Sequence, residues 1–382
     1  MSGADDNPSP LSAPRAPRYW SLDIWRGLAC LVVVFYHCVF YAQPGKPDDE
    51  AWPLMTLARV GWLGVPMFFV ISGYCISATA DRSRRKGFGI RDYFWRRCRR
   101  IFPPYWIFVA LAVVVVAAGD WLVPQLFTDA VEPIPRPWWR SGWQWLGNLT
   151  LTETWRHHVV GDAKGFFISP AWTLCYEEQF YLVTGLILWI ARAHFFRVAA
   201  IISAAVAASC VLLHVNDVDL DGFFFDGRWL LFALGILVYW CVNYGGRAWT
   251  RGALLLFAGL AAWSTFDKPG LLALVGFDMA HDLQVAAWFA LVILALHPLD
   301  ERMFAQPWLW PLRICGQMCY SLYLLHWPIV KAITHAFAWA GVTGHWPTLL
   351  LVLPVATAAS VAVSWWFHRT VEVRFLNAPI QT

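Results

Sequence analysis

Arg26 and His37 stand eleven residues apart in the apolar run LDIWRGLACLVVVFYHC. Eleven steps of about 100° return to within about 20° of three full turns, so a helix here puts both side chains on one face, about 16 Å apart along its axis. An ionisable residue in such a run is costly and marks function by default. A histidine near its ordinary pKa takes a proton from a hydroxyl, and the arginine adds a fixed cation to the same wall. Each also has a plainer reading. His37 fits a core histidine bonded to a neighbouring helix, and Arg26 fits an interfacial arginine paired with Asp23, three residues before it.

Four further stretches carry polar groups. In GVPMFFVISGYCIS (64–77), Ser72 and Gly73 allow a backbone or a thin ligand to approach closely, or simply let two helices pack. Ser72 lacks the G-x-S-x-G setting of a hydrolase nucleophile. In RRCRRIFPPYW (96–106), an arginine cluster precedes Pro103 and Pro104, which open the next helix. Guanidinium groups fork onto phosphate oxygens, so the cluster reads as a phosphate rim, or as an ordinary basic anchor. In SPAWTLCYEEQFYLV (169–183), Glu177 and Glu178 point about 100° apart, so they serve different sites, and one is placed to orient a histidine. In GQMCYSLYLLHWPIVK (316–331), Tyr320, Tyr323, His326 and Lys331 bring polar atoms into an apolar run, and Pro328 frees a backbone carbonyl four residues earlier.

The elements that must hold these residues are membrane helices. The chain has 382 residues, 59% of them apolar and 14% charged. Soluble domains are far more polar, and disordered chains more polar still. The net charge of +4 gives no argument for nucleic acid as a partner. Ten apolar runs read as spans, at 22–41, 58–79, 101–119, 171–190, 195–214, 223–243, 252–266, 282–298, 314–336 and 347–367. The expected fold is all-α, a polytopic bundle of about ten transmembrane helices, because a helix satisfies its own backbone in lipid. Residues 1–20 read as a polar cytosolic tail before a retained helix, 21–376 as the membrane domain, and 377–382 as a second cytosolic tail. The segment 81–100 holds nine Lys and Arg, and placing it in the cytosol puts nineteen basic residues inside and six outside. Both termini then lie in the cytosol. The long segment 120–170, rich in Trp, reads as an outer stretch that partly lies on the membrane interface, and Asn148-Leu149-Thr150 forms a glycosylation tripeptide. Nine cysteines show no C-x-x-C spacing, so no metal site is expected.

In this order, LDIWRGLACLVVVFYH, FFVISGY, RRCRRIFPPYW, AWTLCYEEQFY, CYSLYLLHWP and VEVRF resemble the motifs of the acyltransferase family 3 membrane enzymes, over about residues 20–376. Thr173 stands where the family often has Ser, and Trp25 where Leu is usual. The resemblance implies a ten-span bacterial inner-membrane enzyme that O-acylates sugars and related acceptors. It implies the form without an appended soluble hydrolase-like domain. It carries a catalytic or donor-binding role onto Arg26 and His37, donor binding onto Arg97 and Arg100, and the family's acidic residue onto Glu177. The implied co-substrate is acyl-CoA, commonly acetyl-CoA, with no bound cofactor. The implied partners are a carbohydrate or small-molecule hydroxyl acceptor and membrane lipid. On that reading His37 takes the acceptor's proton, directly or through an acyl-imidazole, and Tyr323 or His326 faces the developing oxyanion. Asp23 and Ser72 support the site. A transporter or flippase shares the intramembrane charges, but it predicts two repeated halves, which the sequence lacks.

Overall fold

The computed structural model describes residues 19–42, 53–122, 135–216, 218, 221–266 and 277–376. The expected tails fall outside this range at residues 1–18 and 377–382. Among the described residues every regular element is helical. In chain order these are α1 (Leu22–Ala42), α2 (Pro53–Arg59), α3 (Gly64–Lys86), α4 (Ile90–Leu122), α5 (Gly142–Thr150), α6 (Glu153–Val160), α7 (Trp172–Ile190) and α8 (Phe195–Val215). There follow α9 (Arg228–Asn243), α10 (Arg247–Phe266), α11 (Phe277–Leu296), α12 (Asp300–Phe304), α13 (Trp310–Gln317) and α14 (Cys319–Trp339). The last are α15 (His345–Pro347), α16 (Leu353–Phe367) and α17 (Val373–Phe375), joined by π-helical turns over Thr348–Val352 and His368–Glu372.

Six helical stretches are long and apolar enough to cross a membrane, at Leu22–Ala42, Gly61–Lys86, Ile90–Leu122, Arg192–Leu213, His281–Phe304 and His345–Arg374. The other four expected spans are present as helices that are shorter or more polar. α9 has 16 residues. α7 carries Glu177 and Glu178, α10 carries Arg247 and Arg251, and α14 carries His326 and Lys331. Large apolar side chains such as Val114, Ile190, Ile201 and Leu255 face outward, as lipid-facing helices require.

Two expectations about local structure are corrected. Pro103 and Pro104 do not open a helix; they lie inside the 33-residue α4, which begins at Ile90. Proline removes one N–H and crowds the carbonyl four residues back. The arginine cluster is therefore helical, and its members point in defined directions. The basic segment 81–100 is likewise no extended loop. α3 runs to Lys86, where Gly87 at φ +66° ends it, and α4 starts three residues later.

Glycines set the helix spacing. A Cβ on Gly73 would meet the Phe232 carbonyl oxygen at 2.0 Å, and one on Gly235 would meet that of Val70 at 1.9 Å. α3 and α9 thus touch backbone to backbone, the close approach that small residues permit. Gly27 against Leu312 (1.9 Å) and Gly316 against Asp23 (1.7 Å) bring α1 and α13 together in the same way. The start of α1 is tied down by the buried Asp300, whose carboxylate accepts from the backbone N–H of Trp20 at 2.6 Å and of Ser21 at 2.8 Å.

Between α4 and α7 the chain folds into a small helical subdomain. Ser141 and Gln144 cap α5 reciprocally. Trp138, Trp139 and Trp143 stay exposed, while Asn148 is buried. The Asn148 side chain donates to the carbonyls of Gln144 (2.7 Å) and Gly165 (2.8 Å) and accepts from the Phe167 N–H at 2.8 Å. The asparagine of the glycosylation tripeptide is therefore internal structure, while Leu149 and Thr150 are exposed.

Candidate active site

α1, α3, α4, α7, α13 and α14 line a cavity of about 450 Å³. Its wall carries Asp23 and Arg26 from α1, Ser72 from α3, Arg97 and Arg100 from α4, Glu177 from α7, and Tyr323 from α14. His37 and His326 are not on that wall.

Arg26 donates through Nη1 to Asp23 Oδ1 at 2.7 Å and through Nη2 to Cys75 Sγ at 2.7 Å. The Asp23 pairing and a place at the cavity therefore coexist. The two readings of Ser72–Gly73 divide between the residues: Gly73 receives the α9 backbone, and Ser72 faces inward to donate to Glu177 Oε1 at 3.1 Å. Tyr181, one helical turn beyond Glu177, donates to the same oxygen. Glu178 is off the wall, with Oε1 buried and without a hydrogen-bond partner among the described residues.

The arginine cluster separates by helical phase. Arg97 and Arg100, three residues apart, share the inward face. Arg96 stacks on Phe88 at 4.4 Å, and Arg99 donates to the Arg374 carbonyl at 3.1 Å. Arg97 is 8% exposed, donates to Thr79 Oγ1 at 2.5 Å, and lies 5.0 Å from the Tyr181 ring centroid. Arg100 makes no hydrogen bond among the described residues.

At the far end of the cavity, Tyr323 donates to the Pro170 carbonyl and meets the Thr173 hydroxyl. Beyond it lies a pair of histidines. The His37 and His326 rings stand 5.0 Å apart, and His326 is 6.0 Å from Tyr323. On α14, Cys319, Tyr323 and His326 form one stripe, because spacings of four and three share a face. Cys319 and Tyr323 line the cavity near α1, and His326 meets His37 higher up. His37 Nδ1 lies 2.9 Å from the Val33 carbonyl, and His326 Nδ1 lies 3.0 Å and 2.8 Å from those of Leu322 and Tyr323. A carbonyl only accepts, so both rings donate through Nδ1, and in a neutral ring Nε2 is then the acceptor. His326 is buried, with Nε2 unpartnered among the described residues.

Two wall residues escape sequence reasoning. His368 and Glu372 line the cavity from the π-helical turn after α16. His368 Nδ1 donates to Glu372 Oε2 at 2.9 Å, and Ser321 donates to the same oxygen. The VEVRF motif contains Glu372, and the i,i+4 spacing from His368 is the signal that would have found the pair.

A family model described as an acyltransferase domain, that of acyltransferase family 3, matches residues 19–369. The chain belongs to that family. It is similar to the O-acetyltransferase OatA of Staphylococcus aureus, 24% identical over 96% of this chain and 58% of the relative. The peptidoglycan O-acetyltransferase OatA of Listeria monocytogenes is 24% identical over 94% of this chain and 55% of the relative. The putative peptidoglycan O-acetyltransferase YrhL of Bacillus subtilis is 30% identical over 51% of this chain and 28% of the relative. The chain thus spans little more than half the length of the two OatA proteins. No solved structure matches it. Membership of this family and the apolar helices together make it a multi-pass membrane protein.

Proposed function

We propose that this acyltransferase family 3 member moves an acyl group, acetyl in the first instance, from cytosolic acyl-CoA to a hydroxyl of a cell-envelope or extracellular glycan. The observation that carries this reading is the cavity: cationic at the Arg97–Arg100 end, and reaching Tyr323 beside the His37–His326 pair at the other. The relatives named for peptidoglycan O-acetylation support the acceptor class.

On this proposal Arg97 and Arg100 bind donor phosphates. The thin arm of the donor runs past Arg26 toward Tyr323. Nε2 of His37 takes the proton of the acceptor hydroxyl as its oxygen attacks the thioester carbonyl, and the thiol leaves. Tyr323 or His326 faces the oxygen that gains charge. Glu177, held by Ser72 and Tyr181, fixes the electrostatics of the cavity opposite the arginines. Ten helices cross the bacterial inner membrane: the six named above with α7, α9, α10 and α14. The arginine-rich face and both termini are cytosolic.

The test uses purified chain in proteoliposomes with radiolabelled acetyl-CoA and candidate glycans. Label is expected on the acceptor. His37→Ala and Arg26→Ala are expected to lower turnover, the first by about 10²–10⁴-fold, the usual worth of a general base. Near-normal turnover in either variant, at equal protein level, removes that residue from the mechanism. Substrate translocation without label transfer would favour a transporter instead.

A further inference from the structure

Away from the cavity, α6 ends in two adjacent histidines whose rings lie 3.8 Å apart, centroid to centroid. Adjacent helical residues diverge by about 100°, yet both imidazoles here reach one carboxylate. Asp221 Oδ1 is 3.8 Å from His157 Nε2 and 3.6 Å from His158 Nε2. The Asp221 carbonyl oxygen is 2.7 Å from His158 Nε2. One donor atom from each of the three residues lies within 4.8 Å of the others.

The carboxylate is held in place by the backbone around it. Gly222 sits at φ +94°, a conformation open to glycine, and a Cβ there would meet the Thr154 carbonyl oxygen of α6 at 2.1 Å. Its N–H donates to the Tyr176 hydroxyl at 2.8 Å, and its carbonyl accepts from Gln179 at 2.7 Å. Asp221 is thereby pressed against the end of α6 by two anchors on α7. Lys164 takes the other carboxylate oxygen, Oδ2, as an orienting outer partner does in metal sites.

We propose that His157, His158 and Asp221 form a zinc-class divalent metal site that clips α6 to the segment before α9. Two imidazoles with one carboxylate select zinc, cobalt or nickel over magnesium and calcium, which prefer all-oxygen sets. Ligand atoms around a tetrahedral zinc stand about 3.3 Å apart, so closure draws the three atoms in from a spacing of up to 4.8 Å and exchanges the His158 Nε2 contact with the Asp221 carbonyl for the metal. Asp221 is half-exposed, which leaves a coordination position open to water. The site lies at the tryptophan-rich end of the chain, away from the cavity, so its occupancy is testable without the transfer reaction.

The experiment titrates the full chain, purified in detergent without a polyhistidine tag and stripped with a chelator, with zinc by calorimetry and with cobalt by visible absorption. One equivalent per chain is expected, with the intense visible bands of four- or five-coordinate cobalt. His158→Ala and Asp221→Asn are expected to weaken binding about tenfold or more, since loss of an outer-shell partner alone costs that much. Both residues are at the surface, and circular dichroism of the variants verifies that they fold. Equal affinity in wild type and in the double variant, or a cobalt spectrum unchanged from the hexaaqua ion, overturns the proposal.

Discussion

Two of the places where the described residues hold charge away from solvent treat it in opposite ways. In the subdomain between α4 and α7, Glu153 is fully buried and accepts from Arg156 Nε at 2.7 Å, Arg156 Nη2 at 2.8 Å and the Gly165 N–H at 2.7 Å. Arg156 gives two further donors to Asp162 and to the Ala163 carbonyl. In the cavity, Arg97 makes one hydrogen bond to a hydroxyl, and Arg100 makes none among the described residues. Both faces lie in a low-dielectric setting, where an unmatched charge is expensive. A saturated pair is architecture. A cation beside a cavity with few hydrogen bonds of its own has donors left for another partner.

The contrast breaks most sharply at Glu153. Glu153→Ala strands a buried guanidinium, and the expected loss is about 3–5 kcal/mol of stability, read as a collapse of the thermal midpoint in detergent. Arg100→Ala tests the other side. It is expected to leave the midpoint unchanged and to raise the KM for acyl-CoA roughly ten- to a hundredfold, the worth of charge-assisted hydrogen bonds to phosphate. A stability loss there with unchanged KM would make Arg100 architectural like Arg156. The smallest effect is at the edge of the subdomain. Ser141→Ala removes one arm of the α5 capping box and is expected to cost about 1 kcal/mol in denaturant unfolding, with transfer activity intact.

Much of the site was legible because helical phase is arithmetic. Arg26 and His37 were placed on one face by their spacing; in the fold Arg26 borders the cavity, while His37 is off its wall and stands against His326. The same arithmetic separates Arg97 and Arg100 from Arg96 and Arg99, once α4 is known to be helical there. The sequence reading missed that because two prolines resemble a helix start, whereas the helix here tolerates them in its interior. His368 and Glu372 carry a local i,i+4 signal that the reading passed over, but their link to Ser321, 51 residues before Glu372, is visible only in the fold. The expectation of no metal site rested on local spacing, which does not show that His158 and Asp221, 63 residues apart, meet in the fold.

Composition and periodicity alone therefore determined an all-helical membrane chain, its basic and tryptophan-rich ends, and the ionisable residues that sit at a cost in apolar runs. Those properties follow from free energies of transfer and from the 3.6-residue turn, which need no knowledge of neighbours. Which helices meet was decided only in the folded chain. Glycines let α3 touch α9 and α1 touch α13 at backbone distance, and that packing fixes where a cavity is left open and which charges border it. Long-range contacts of this kind depend on the shapes of two surfaces at once, and a single run of residues carries only one of them.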